Sequence, residues 1–296
     1  MKNKIVICGA TGNQGGAVAR ALLKTGQWKV TALTRDPASA RACALAASGA
    51  DVVKADLLDI NSLLRAFEGA YGVFGLTQPW AYEQGRFDPA AGIMQGKNII
   101  WACRQAGVRL PVLSTILNLC GQRSGVSYID TKAVLEELFR SHIGSGIIVR
   151  PALYLENIGS RLLRVSGNRI SGRFGEDHQI PYLALQDLGR LSVRIFERGE
   201  ELCGTTLNLA SEVCSGRELA SVLSQAGSQR YVYTPENRLL QKIFKPQQYA
   251  MRRYFEQQAD FLASDGRTFG DLFYLPFPRV SRLAFLESLT GILLSL

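Results

Sequence analysis

Three side chains that could hold or move a proton lie near the middle of the chain. Tyr128 and Lys132 are four residues apart in GVSYIDTKAVLEELF (125–139), so a helix there places both on one face. Ser114 lies at the end of the preceding apolar segment. Such a tyrosine donates a proton to a carbonyl oxygen, the lysine lowers the tyrosine pKa, and the serine steadies the developing negative charge. The competing interpretation is that Tyr128 is a half-buried packing residue, because this spacing also arises by chance.

A glycine-rich turn near the N-terminus suggests what the lysine would hold. In KIVICGATGNQGGAVARALL (4–23), Gly9, Gly12 and Gly15 lie between a buried-looking strand and a helix. The glycines permit the tight turn, the approach of backbone to a pyrophosphate and the close packing of helix on strand. The helix then directs its first amides at the phosphates. Glycine spacing alone is weak evidence, but the strand–turn–helix context predicts dinucleotide binding rather than a structural glycine cluster.

The second predicted strand ends in TALTRD (31–36) and carries Arg35 where NAD-binding folds often place an acidic side chain. Asp36 follows one residue later. A guanidinium suits a 2′-phosphate, so we predict that NADP(H) is preferred and that NAD(H) also binds. The competing interpretation is an exposed loop arginine.

Two further pairs follow strand ends, where ligands of parallel α/β sheets bind. Asp56 and Leu57 follow the third strand and are expected near the adenine. Thr77 and Gln78 follow the fourth strand and are expected near the nicotinamide-side ribose.

Composition narrows the class of protein. The 296 residues are 47% hydrophobic and 20% charged, with six cysteines and two histidines. No CxxC pair or metal-ligand spacing occurs, so we expect reduced thiols, no metal and a cytoplasmic location. No apolar run reaches the ~18 residues of a membrane span. The net charge of +9 is scattered, so there is no strong nucleic-acid signal; it equally suits a multiply phosphorylated cofactor.

Strands alternate with helices over the first half, which predicts an α/β fold: a Rossmann-type, doubly wound parallel sheet with a smaller C-terminal α/β lobe. The expected strands are 4–8, 29–34, 51–55, 71–76, 110–115 and 146–150. The expected helices are 14–24, 38–47, 60–67, 90–105 and 127–142. We assign the dinucleotide-binding domain to 1–151 and the smaller lobe to 152–296, with part of 180–210 returning to the sheet. The terminal LTGILLSL is expected to form a packed helix.

Together these segments resemble the NmrA-like family of atypical short-chain dehydrogenase/reductases. The resemblance covers nearly the whole chain and is carried by GATGNQGG, TRDP, GADVVKADLLD, QGKNIIWACRQAGV, YIDTKAVLEELF and VRPALYLEN. It implies an NADP-preferring domain with a small lobe closing over a cleft. It also implies the pyrophosphate-binding residues Gly9, Ala10, Thr11, Gly12, Asn13, Gln14 and Gly15. Arg35 would meet the 2′-phosphate; Thr77, Gln78 and Lys132 would line the nicotinamide half. The residues that would close the site are Tyr154, Leu155, Glu156 and Asn157.

The resemblance leaves two functions open, and the basic net charge adds a third. The first is a reductase of a small molecule of the quinone or carbonyl class. The second is a catalytically silent redox sensor that regulates a partner protein or transcription, with a homodimer among its forms. The third and weakest is direct nucleic-acid binding. Many relatives have a histidine where this chain has Tyr128. The tyrosine, paired with Lys132, favours the reductase function. Where relatives have a small, glycine-rich stretch, this chain has the bulky residues Ile116 and Leu117. These side chains either narrow the substrate side of the site or only pack against their neighbours.

Overall fold

The computed structural model describes residues 2–81, 86–121, 124–160, 162–226, 229–264 and 269–273. Its strands are β1 (Lys4–Ile7), β2 (Lys29–Thr34), β3 (Asp51–Lys54), β4 (Gly72–Gly75), β5 (Trp80–Ala81), β6 (Arg86–Phe87), β7 (Leu110–Ser114), β8 (Ile147–Pro151), β9 (Leu153–Tyr154), β10 (Leu163–Ser166), β11 (Arg169–Gly172), β12 (Ile180–Leu183), β13 (Thr206–Leu209), β14 (Glu212–Cys214) and β15 (Val232–Pro235). Its helices are α1 (Asn13–Thr25), α2 (Ala40–Ala47), α3 (Ile60–Phe67), α4 (Pro89–Gln105), α5 (Ser127–Ile143), α6 (Leu185–Glu197), α7 (Gly216–Ala226), α8 (Arg238–Phe244), α9 (Pro246–Ser264) and α10 (Phe269–Leu272).

A seven-stranded sheet in the order β13-β8-β7-β4-β1-β2-β3 forms the centre of the first unit. Every neighbouring pair from β8 to β3 is parallel. The central strands are apolar runs buried on both faces, as expected where helices cover a parallel sheet. The predicted doubly wound fold is therefore confirmed. The strand order reverses at β1, between β2 and β4, and such reversals are where α/β sheets bind ligands.

The chain forms two compact units. The first contains residues 1–116, 127–150 and 185–207; the second contains 117–126, 151–184 and 208–296. The sequence assigns 1–151 to one domain and 152–296 to the other, with part of 180–210 returning to the first, and the structure places 185–207 in the first unit.

The second unit has two small sheets, ordered β14-β12-β9 and β10-β11-β15. Its core includes the fully buried rings of Phe174 and Tyr182. A buried ion pair joins Arg252 to Glu256, with 2.7 Å between Nε and Oε1.

The predicted elements of the first half are present, with ends shifted by one or two residues. For example, the helix expected over 38–47 begins at Ala40, because Ser39 takes the N-cap position with extended backbone. The expected C-terminal helix in LTGILLSL lies outside the described residues. All six cysteines are free thiols. Among the described helices, none combines the length and apolar character that a membrane crossing requires.

Helix α1, which follows the glycine turn, packs closely against α6 at Gly189. A Cβ added to Gly189 would lie 2.8 Å from the Ala17 carbonyl oxygen and 2.9 Å from the Ala21 Cβ. Because one obstacle is backbone, the two helices would have to separate to admit even a methyl group.

We expect Gly189→Ala to lower the free energy of unfolding by about 1–3 kcal/mol, since overpacking outweighs the better helix propensity of alanine. Urea denaturation measures the change. Gln186→Ala, on an exposed position of the same helix, is the control and should stay within about 0.5 kcal/mol of wild type. Stabilisation of the Gly189→Ala protein would contradict the close contact.

Candidate active site

The glycine turn connects β1 to α1. Gly9 has φ 59°, a left-handed conformation that favours glycine. A Cβ on Gly15 would lie 2.5 Å from the Gly9 carbonyl oxygen and 2.7 Å from that of Cys8, so only glycine lets the helix start this close to the strand. Gly12 is the N-cap of α1 and offers no side-chain cap, and the first turn carries no acidic residue. The turn therefore presents uncapped amides without a competing carboxylate, which suits an anion.

Arg35 is exposed directly after β2, which fits both a residue that meets a 2′-phosphate and an exposed loop arginine. In the described part of the chain its guanidinium has no ion pair. The neighbouring Asp36 carboxylate accepts the Ala38 amide at 3.0 Å and so shapes the turn. The exposed arginine is thus free to bind a ligand, whereas the acidic side chain serves the loop.

Arg41 is a candidate that the sequence reasoning missed. It lies in the first turn of α2, and its Nη1 donates to the Thr11 carbonyl oxygen at 3.2 Å. This hydrogen bond places a second, exposed guanidinium beside the glycine turn. The signal available in the sequence was only an arginine six residues after Arg35, which fixes no contact with residue 11.

Asp56 and Leu57 lie after β3, where they were expected, but their recorded bonds are structural. The Asp56 carboxylate accepts the Leu58 amide at 2.9 Å. The Leu57 carbonyl oxygen accepts the Asn98 side-chain amide at 2.9 Å, which ties this loop to α4. An adenine role for the two residues stays a prediction.

The loop after β4 is held by a buried glutamine. Gln95 of α4 accepts the Gln78 amide at 2.7 Å through Oε1 and donates to the Gln78 carbonyl oxygen at 3.4 Å through Nε2. The adjacent Thr77 is buried, 7% exposed, and faces α5. Gln95 therefore fixes the backbone next to the threonine.

Lys132 is brought to Thr77 by α5. Its Nζ donates to the Thr77 Oγ1 at 2.6 Å and is 4% exposed. Thr77 is its sole hydrogen-bond partner within the described ranges, and no carboxylate pairs with it there. Burial lowers the pKa of Lys132 to about 8. A buried amine with one partner and no counterion fits a ribose diol next to phosphates, so the residues present fit the predicted dinucleotide.

Tyr128 lies one turn before Lys132, as the spacing predicted. Its ring centroid is 5.7 Å from the Lys132 Nζ, and it packs edge-to-face on Phe87 at 5.3 Å. We expected the ammonium to lower the tyrosine pKa. Instead burial raises the pKa of Tyr128 to about 12. The phenol therefore stays protonated at neutral pH and can act as a proton donor but not as a base.

Ser114 is buried at the end of β7, and its hydroxyl has a different partner from the one expected. The Oγ donates to the Gln14 side-chain oxygen at 3.0 Å. A hydroxyl carries one proton, so this bond uses the donor that an oxyanion would need. Ser114 is better described as a link between β7 and the glycine turn.

The residues expected to close the site lie in the second unit. Tyr154 ends β9, and Leu155, Glu156 and Asn157 form a 3₁₀ turn in which Leu155 is fully buried. Leu117 is also buried; its amide donates to the Pro151 carbonyl oxygen at 3.0 Å, so it packs.

A cavity of about 350 Å³ lies within the second unit. It is lined by Asn118, Cys120, Ser124, Tyr254, Gln257, Gln258, Asp260 and Phe261. Its lining carries amides, hydroxyls, a thiol, a carboxylate and aromatic rings, and no motif in the sequence pointed to it.

The lowered pKa of Lys132 makes the stability of the fold pH-dependent. The amine titrates near pH 8 when folded and near its ordinary 10.5 when unfolded. Between these values the unfolded chain binds more protons, so the free energy of unfolding rises with pH. Below pH 8 both states are protonated and the folded protein carries the full cost of the buried charge, on the order of 3 kcal/mol.

Lys132→Met removes this cost together with its pH dependence. We expect wild type to gain stability relative to the variant as pH rises from 8 to 10.5, measured by urea denaturation across that range. Lys24→Met, at an exposed position of α1, controls for loss of a lysine. Parallel curves for wild type and Lys132→Met would contradict the assignment.

The chain is similar to known proteins both in sequence and in structure. The NmrA-like oxidoreductase FrzB of Cladobotryum sp is 30% identical over 260 residues, covering 78% of this chain and 75% of that one. Among solved structures, Citrobacter sp. triphenylmethane reductase complexed with NADP(H) has a TM-score of 0.75 at 21% identity, covering 99% of this chain and 100% of that one. Escherichia coli NADPH-dependent quinone oxidoreductase QOR2, complexed with NADPH, has a TM-score of 0.72 at 21% identity, covering 97% and 99%.

At this identity the two structures establish the fold, while family membership rests on the sequence. The model of the NmrA-like family matches residues 1–267. The chain belongs to the NmrA-like family.

Proposed function

We propose that the protein is an NADPH-dependent oxidoreductase that reduces a small electron-poor molecule of the quinone or carbonyl class. The observation that carries this proposal is the buried Lys132 amine, which has Thr77 as its partner and no counterion among the described residues. Support comes from the oxidoreductase name of FrzB and from the NADP(H) and NADPH complexes of the two structurally similar reductases.

The cofactor would be held by three kinds of group. The amides of the glycine turn would bind the pyrophosphate, Arg35 and Arg41 the 2′-phosphate side, and Lys132 the nicotinamide-side ribose. Bound NADPH supplies a hydride. Lys132 would hold the ribose, and Tyr128, which is protonated at neutral pH, would donate its proton to a substrate oxygen. An ordered water is the other candidate for that donor.

Replacement of Arg35 tests the cofactor preference. We expect Arg35→Ala to raise the Kd of NADPH about tenfold, because a charge-assisted hydrogen bond to phosphate is lost, while NADH binding changes less than about twofold. Fluorescence titration of both dinucleotides measures the two constants.

The control is Arg104→Ala, which removes an exposed arginine at the end of α4 and the same net charge. An equal loss for NADH, or no loss at all, would remove Arg35 from the 2′-phosphate site.

Turnover tests the reaction. Wild type should consume NADPH, followed by its absorbance, with members of a panel of quinones and aromatic carbonyls. Tyr128→Phe keeps the ring contact with Phe87 and removes the proton, so kcat for carbonyl substrates should fall about 100-fold. If kcat is unchanged, water and not Tyr128 is the proton donor, and the proposed oxidoreductase function still holds.

A constant NADPH absorbance with every substrate of the panel would favour the redox-sensor function. If NADPH binds in the same sample and no panel member is reduced, cofactor-dependent regulation of a partner becomes the better function. The regulatory partner and the homodimer stay predictions from the resemblance.

A further inference from the structure

A buried carboxylate lies one helical turn beyond Lys132 and ties α5 to two strands. Glu136 is 4% exposed. Its Oε1 accepts the Thr115 hydroxyl at 2.7 Å and the Arg150 Nε at 2.9 Å. Its Oε2 accepts the Arg150 Nη2 at 2.6 Å and the Arg140 Nη2 at 2.9 Å. Four donors thus occupy the carboxylate, and Arg150 binds it with two parallel hydrogen bonds.

These bonds fix the helix at the turn that neighbours the site. Tyr128, Lys132 and Glu136 follow one another at four-residue intervals, each step turning the helix about 40° beyond a full turn, so they share one side of α5. Thr115 directly follows β7, and Arg150 lies in β8. The carboxylate therefore sets the rotation and height of α5 against the sheet, about 6 Å along the axis from Lys132.

The charge of Glu136 is directed at arginine side chains and not at Lys132. Burial favours the neutral acid, but hydrogen bonding and charge from Arg150, the Thr115 hydroxyl and the charge of Arg140 outweigh it, so the pKa of Glu136 lies below its ordinary value. The ionised carboxylate is neutralised by two guanidinium groups. Burial is the cause of the lowered pKa of Lys132.

We infer that Glu136 is the positioning residue of the cofactor site: with Arg150 and Thr115 it holds α5 so that the Lys132 amine meets Thr77 and a bound dinucleotide. The inference rests on the proposed NADP(H)-binding function. It assigns the cluster a role in affinity for the cofactor that a purely structural ion pair does not have.

A double-mutant cycle separates these roles. The Kd of NADPH is measured by fluorescence for wild type, Glu136→Gln, Lys132→Met and the double variant. We expect Glu136→Gln to raise the Kd about fivefold in wild type and less than about twofold in the Lys132→Met background, because coupled residues are not additive. Equal losses in both backgrounds would overturn the inference.

The same cycle distinguishes this inference from the proposed function. If Lys132→Met weakens NADPH binding and the coupling is absent, only the role of Glu136 fails. If Lys132→Met leaves the Kd unchanged, the assignment of Lys132 to the cofactor fails, and the role of Glu136 fails with it.

Two further variants distinguish a loss of affinity caused by general destabilisation from one caused by displacement of Lys132. Thr115→Val keeps the side-chain shape and the ion pair and removes one donor, so a loss of about threefold should again depend on Lys132. Glu256→Gln is the matched control, since it breaks another buried Arg–Glu pair, in the second unit. It should lower the unfolding temperature as Glu136→Gln does and leave the Kd of NADPH within about twofold. A comparable rise in Kd for Glu256→Gln would mean general destabilisation and would overturn the inference.

Discussion

The candidate site depends on one costly arrangement, a lysine amine buried against a threonine hydroxyl. An ammonium taken out of water needs hydrogen bonds and an opposite charge, and Lys132 has one hydrogen bond and no carboxylate in the described part of the chain. The folded state tolerates the unfavourable free energy of this burial because hydrogen bonds fix the two segments that meet at the amine. Gln95 fixes the loop that carries Thr77, and Glu136 fixes α5. A ligand with hydroxyls and nearby phosphates would relieve this cost, because it would give the buried amine further hydrogen-bond acceptors and nearby negative charge.

Strand order explains why groups distant in sequence surround this amine. The reversal at β1 brings together the carboxyl ends of β1, β2 and β4, which carry the glycine turn, Arg35 and Thr77. The three kinds of group differ in their exposure to water. The backbone amides of the glycine turn would bind phosphate, the exposed guanidinium groups would bind a terminal charge, and the buried amine would bind a neutral diol. Each group is placed where its desolvation cost matches the ligand group it would meet.

The sequence predicted the layers and strand ends well, because apolar runs and glycine turns are local signals. It missed contacts that join distant segments. Ser114 meets Gln14 across 100 residues, and Arg41 meets Thr11 across 30, so no periodicity records either bond. The expected fall in the Tyr128 pKa was wrong for the same reason: burial, which depends on tertiary packing against Phe87, outweighs the nearby ammonium. The cavity in the second unit is built from two segments more than a hundred residues apart.

The high pKa of Tyr128 bears on which substrates the site would serve. A phenol with a pKa of about 12 protonates an alkoxide readily, because an alkoxide is a far stronger base than the phenolate. The anion of a reduced quinone is itself a phenolate and a weaker base than the Tyr128 phenolate, so proton transfer from Tyr128 is unfavourable. With an ordinary phenolic pKa of about 10, that anion becomes protonated by equilibrium with bulk solvent at neutral pH. Lys132 serves both reactions equally, since it would hold the cofactor. Dependence on Tyr128 therefore separates carbonyl reduction from quinone reduction in one protein, and it does so through the burial of a single ring.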